Sequence, residues 1–81
     1  MDMTTVAVIV YEDRHTDVTV EVFLNEQQAI AKARAFALAS AQPYVPDETL
    51  TDGMRADGWL YYARYSPEGD SERVVTVEVQ D

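Results

Sequence analysis

The sequence predicts an α+β fold: a four-stranded antiparallel sheet built as ββαββ, with one main helix packed on one face and a short second helix possible after it. Three observations predict it. Two pairs of strand-like runs flank a single long Ala-rich stretch. Polar turn signals join the two runs of each pair. The first run is apolar at odd and even positions alike, which marks a strand buried within a sheet.

The elements follow in order within one domain, residues 1–81. The first strand is expected over about 3–12, with Val6, Val8 and Val10 on one face and Ala7, Ile9 and Tyr11 on the other. A polar turn around His15 leads to a second strand over about 16–24, where Val18, Val20, Val22 and Leu24 alternate with Thr19, Glu21 and Phe23. Asn25 is placed to cap a helix over about 26–41, with Gln28 three residues on as in a capping box. Ala recurs along that helix at every odd position from 29 to 41, and no Gly or Pro interrupts it. Its inward stripe is expected to be Ile30, Ala33, Phe36, Ala37 and Ser40, with Ile30 and Phe36 as anchors.

Pro43 and Pro46 end the helix and open a long loop, 42–58. Within it Thr51 caps a short turn over 52–57, and Gly58 stops it. A third strand is expected over about 59–65 and a fourth over about 72–80, joined by a Ser66-Pro67-Glu68-Gly69-Asp70 turn. The expected spatial order is 2-1-3-4, which keeps every neighbour antiparallel. The helix is expected to cover the valine face: Val6, Val8 and Val10, then Val18, Val20 and Val22, then Val75, Val77 and Val79. That leaves Ala7, Ile9, Tyr11, Phe23 and Val74 on the open face, with aromatic residues of the third strand.

Composition bounds what the chain can do. Fifteen acids stand against six bases, a formal net charge of −9. Nucleic-acid and anionic-membrane binders need surplus Lys and Arg, so neither partner is expected. Hydrophobic residues make up 47% of the chain, enough for a folded core. With no cysteine there is no disulfide, thiolate metal site or cysteine nucleophile. The apolar run Val6 to Tyr11 is too short for a signal or membrane segment, so a cytoplasmic location is expected. Five Arg to one Lys, and Ala and Val over Ile, point to a high-GC bacterial or phage genome.

No arrangement of residues announces chemistry. His15 lies in a turn between Asp13 and Asp17, without a nucleophile or a pocket to work with, and reads as a solvated turn residue. The stretch from Pro46 to Gly58 fails as a calcium loop: with Gly53 at the sixth position, the third is Leu50 and the twelfth is Trp59. Phosphate loops, dinucleotide fingerprints, paired-His helices and serine elbows are missing from the sequence. No enzyme activity, cofactor or metal is expected.

Two functions remain. The first is a small, non-enzymatic protein-interaction module, homodimeric through the open sheet face, with Tyr11, Phe23, Trp59, Tyr61, Tyr62 and Tyr65 as its interface. The second is an acidic inhibitor or DNA mimic of the anti-restriction, anti-CRISPR or antitoxin type. It would fill the basic groove of a nucleic-acid-handling protein with Asp13, Asp17, Asp47, Glu48, Asp52, Asp57, Glu68 and Asp70.

Overall fold

The computed structural model describes residues 3–14 and 17–80; His15 and Thr16 lie outside the described residues. The elements run β1 (Met3–Glu12), β2 (Thr19–Phe23), α1 (Glu26–Ala41), β3 (Asp47–Glu48), α2 (Asp52–Ala56), β4 (Trp59–Arg64) and β5 (Ser71–Gln80). Among the described residues the strands form one antiparallel sheet in the order β2-β1-β5-β4-β3, and α1 packs on one face of it. The class is the expected α+β. No helix among the described residues is long and apolar enough to cross a membrane.

Three features of the sheet differ from the sequence expectation. A fifth strand, two residues long, forms in the long loop and pairs with β4 through Asp47↔Arg64 and Glu48↔Ala63. The strand order also differs: the last strand, not the third, lies beside β1. Length explains this. β1 and β5 are both ten residues long and pair without a break from Met3↔Gln80 to Glu12↔Ser71. The six-residue β4 could satisfy only part of such a ladder and sits outside β5.

The third difference is the covered face. α1 lies over Ala7, Ile9, Tyr61, Ala63, Tyr65 and Val74, with Tyr11, Phe23, Ile30 and Leu60 packed around them. The valines were expected there and lie on the opposite face. Volume is the reason. The inward stripe of α1 is Ala29, Ala33, Ala37 and Ala41, all buried; of the expected stripe Ala33 and Ala37 lie in it and Ile30 packs at its margin, whereas Phe36 and Ser40 are exposed. Four methyl groups fill little space, so the sheet must supply the bulk, and Ile9, Val74 and the rings of Tyr61 and Tyr65 do so. Ala7 and Ala63 let the helix sit close, and Phe36 lies across the margin against Tyr11 and Tyr65, its ring 4.9 Å and 5.4 Å from theirs.

Local chemistry sets the ends. The Asn25 side chain accepts the Gln28 N–H at 3.1 Å and caps α1. Thr51 accepts the Met54 N–H at 3.2 Å and caps α2. Gly58 then takes φ 87°, and a Cβ there would approach the Thr76 hydroxyl to 3.2 Å, so both backbone and space call for glycine.

Candidate functional site

The face that α1 leaves open is the candidate site. Cross-strand register assembles it. Val8 stands opposite Val22 on β2 and Val75 on β5, Val10 opposite Val20 and Arg73, and Val6 opposite Val77. A bulge between Trp59 and Tyr61 completes the face. It shifts the register so that Trp59 opposes Val75 while Tyr62 opposes Arg73, and both rings come to the valine side. They stack at 5.7 Å with 30° between their planes, and the Arg73 guanidinium lies 5.3 Å from the Trp59 ring.

The exposures show an uncovered surface. Val20 is 61% exposed, Val22 60% and Val77 42%, values found on no residue of the helix-covered core. Charge is confined to one end of the face. There Glu12, Ser71, Arg64 and Asp47 follow one another across the strands, and Arg73 is paired with Glu12.

The six expected interface residues divide between the two faces. Trp59 and Tyr62 lie on the open face. Tyr11, Phe23, Tyr61 and Tyr65 pack beneath or beside α1, so they are not open-face residues. Strict alternation put Trp59 with Tyr61 and Tyr65, and the bulge breaks that alternation. Val18, Val20, Val22, Val77 and Val79, assigned in sequence to the core or its strand face, are the surface residues missed, whereas Val6 is buried and Val8, Val10 and Val75 are half-buried. The Ala stripe was the signal that could have placed them, since a helix of small side chains needs large ones opposite.

The acids do not form one continuous row. Asp13, Asp17, Asp47, Glu48, Glu68 and Asp70 gather at the end of the sheet where β1 finishes and β5 begins, whereas Asp52 and Asp57 flank α2 near the other end. Several of them are engaged. Glu48 pairs with Arg34 at 3.0 Å, Asp52 lies 3.4 Å from Arg55, and Glu68 pairs with Arg14. Asp70 is buried and accepts the Arg14 backbone N–H at 3.0 Å, which ties the two turns together. Arg34 beside Glu48 holds its carboxyl below the usual range, and Lys32 does the same for Glu21.

A second polar feature lies beneath the helix and was not expected. Glu72 faces α1, opposite Tyr11 on one side and Ala63 on the other, and is only 1% exposed. Neither of its oxygens has a hydrogen-bond partner among the described residues. Burial pushes its carboxyl up to about 8, so at neutral pH it is mostly a neutral acid. Its charged form in turn raises the nearby phenols of Tyr11, Tyr61 and Tyr65, where burial is the larger cause. Tyr11 donates to Glu21 at 3.1 Å at the margin of this cluster. Beside it runs an open groove of about 420 Å³ between α1 and β2, lined by Tyr11, Phe36, Tyr65, Lys32 and Glu21 among others. Its Lys32 and Glu21 are already paired with each other. No group of three or more metal-ligating side chains occurs among the described residues.

Compared with known proteins, the chain matches no family model, no curated protein and no solved structure.

Proposed function

We propose that this chain is a small, non-catalytic interaction module of the cytoplasm that pairs with a second copy of itself through the valine face. The observation that carries the reading is the uncovered, charge-poor apolar surface of Val8, Val10, Val20, Val22, Val75, Val77 and Val79 with Trp59 and Tyr62. Val20, Val22, Val77 and Val79 are 61%, 60%, 42% and 44% exposed, and with their half-buried neighbours they form a patch of a few hundred Å², the size that marks a contact site on a small monomer.

Charge favours a second copy. Two chains of net charge −9 repel, so they can meet only where acids are few. The valine face is such a place, and a two-fold contact lets the same surface serve both partners. Two sheets packed at about 10 Å then bury the stripe as a sandwich core.

Light scattering coupled to gel filtration, at several chain concentrations, tests this. The native chain should elute as a dimer or an even multiple of it, and Val77→Asp should elute as a folded monomer. A native chain that stays monomeric across the range would remove the proposal.

The acidic-inhibitor reading rests on the six acids at one end of the sheet. Arg14, Arg64 and Arg73 lie among them and reduce the field they project. Salt separates the two readings: a valine-face dimer persists at high ionic strength, whereas a carboxylate contact weakens steeply.

A further inference from the structure

We infer that the outer edge of β2 is a second self-contact, at which β2 of one copy pairs antiparallel with β2 of another about a two-fold axis at Val20. The two edges of the sheet motivate it. β3 closes one edge with two charged residues, Asp47 and Glu48, directly after Pro46, and such short, charged, proline-flanked strands resist pairing. β2 is less protected: no proline precedes it, and its one charge, Glu21, lies on the helix side and is paired with Lys32. It is TVEVF in sequence, with no Pro, Gly or Lys, and pairs with β1 in a regular register from Ala7↔Phe23 to Tyr11↔Thr19. Its outer side carries backbone donors and acceptors with no strand beside them in the sheet.

The sequence of β2 selects the occupant and the register. Antiparallel pairing sets side chains of one face against one another, so only registers that match valines with valines keep both faces intact. Centring on Glu21 would set two carboxylates directly opposite, which is unfavourable. Centring on Val22 would run the second copy into Asn25 and the start of α1. Centring on Val20 sets Val20 against Val20, Val18 against Val22, and Thr19 against Glu21. Like charges are separated, and the valine stripe continues from one copy to the next.

This inference goes beyond the face contact but draws on it for strength. An edge of this length makes few hydrogen bonds by itself. The edge axis stands perpendicular to the sheet and the face axis lies parallel to it, so the two contacts together can close a tetramer of two continuous sheets, in the symmetry most common after simple dimers.

The cysteine-free chain provides the test. Val20→Cys and Val22→Cys are oxidised separately and the cross-linked fraction is followed with time. Opposed residues in an antiparallel pair lie within disulfide reach, whereas Val22 would be four positions out of register with its copy, so Val20→Cys should cross-link about tenfold faster or more. Adding Thr19→Lys should speed that cross-linking and Thr19→Glu should slow it, each by a few-fold, because residue 19 then faces Glu21 of the other copy twice per pair. Thr19 is on the helix side, so a face contact does not respond to it. Equal rates for the two cysteines, or indifference to charge at 19, would overturn the edge contact. Repeating the series with Val77→Asp keeps its failure separate from failure of the face reading.

Discussion

Ile9 and Val20 lie on opposite faces of one sheet, and both are β-branched aliphatics that a hydropathy pattern treats alike. Ile9 is fully buried under α1 and Val20 is 61% exposed. The difference comes from the helix. Its stripe of alanines brings backbone close to sheet, and Ile9, Val74 and the rings of Tyr61 and Tyr65, interrupted by Ala7 and Ala63, fill the space beneath it. A face of valines is flat and uniform, and it suits a second sheet better than a helix of small residues. Two apolar surfaces therefore differ in kind: one makes the monomer, and the other is the surface the proposed dimer uses.

The largest effect should come from attacking the covered face. Ile9→Ala removes buried methyl groups beside Val74 and Ala33, where the surroundings cannot collapse, and should cost about 2–5 kcal/mol of unfolding free energy. Val20→Ala, made on the open face, should cost less than about 1 kcal/mol in the monomer. Urea unfolding of both variants in the Val77→Asp background holds association out of the comparison. Equal costs would mean that the two faces are buried alike.

Glu72 separates the faces by pH. Its folded-state carboxyl sits at about 8, against an ordinary value of 4.5. Between those values the folded chain holds a proton that the unfolded chain has released, so stability must fall as pH rises through this window. One such group contributes a slope of up to about 1.4 kcal/mol per pH unit, flat below 4.5 and again above 8. Glu21 and Glu48 act in the opposite sense, because their carboxyls are held low, but they lose their contribution only as pH falls below the ordinary carboxylate value, and both are partly exposed and so screened by solvent. Thermal unfolding followed from pH 5 to 9 should therefore show falling stability in the native chain and a flatter profile in Glu72→Gln. The slope is the readout, since a buried amide has unmet hydrogen bonds of its own. A native profile that rises over this range would contradict the neutral, buried acid.

Ala37→Leu probes the closeness of helix and sheet. Ala37 has no exposed surface, and three added heavy atoms must push α1 away or distort Ile9 and Tyr65. Overpacking of this kind should cost about 1–3 kcal/mol. A smaller enlargement on the open face, Val77→Leu, adds one heavy atom and should leave the monomer unchanged within about 0.5 kcal/mol.

How much of this was legible in the sequence depends on which physical rule decided each feature. The limits of α1 were legible because Asn25 and Pro43 are local signals, and the α+β class followed from strand runs around one helix. The short turn capped by Thr51 and stopped by Gly58 was legible for the same reason. Strand order was not, since antiparallel neighbours arise in either order and only the matched lengths of β1 and β5 favour one. The covered face was not, because hydropathy ranks Val8 and Ile9 together while packing volume separates them. Trp59 was placed with Tyr61 and Tyr65 by period-two alternation, and one bulge moved it to the other side. The burial of Glu72, at the start of the fourth strand, was not legible because nothing local marks a carboxylate that the helix will cover.

The smallest change gives the sharpest comparison. Val22→Thr replaces one methyl by a hydroxyl at nearly constant volume and keeps the β-branching that strands favour. In the monomer Val22 is 60% exposed, so its hydroxyl would meet water and unfolding stability should stay within about 0.5 kcal/mol of the parent. In a face-paired dimer the same hydroxyl is carried into a valine core and finds no acceptor on Val8, which stands opposite it. The cost then falls on assembly alone, about 1–3 kcal/mol for each of the two buried copies, or a loss of roughly thirtyfold or more in the dimer constant. Sedimentation equilibrium of the variant beside the parent reads this directly. Unchanged stability with weakened association would make Val22 a contact residue and not a core residue. Unchanged association would leave the valine face wet in the assembled state and would move the contact elsewhere on the molecule.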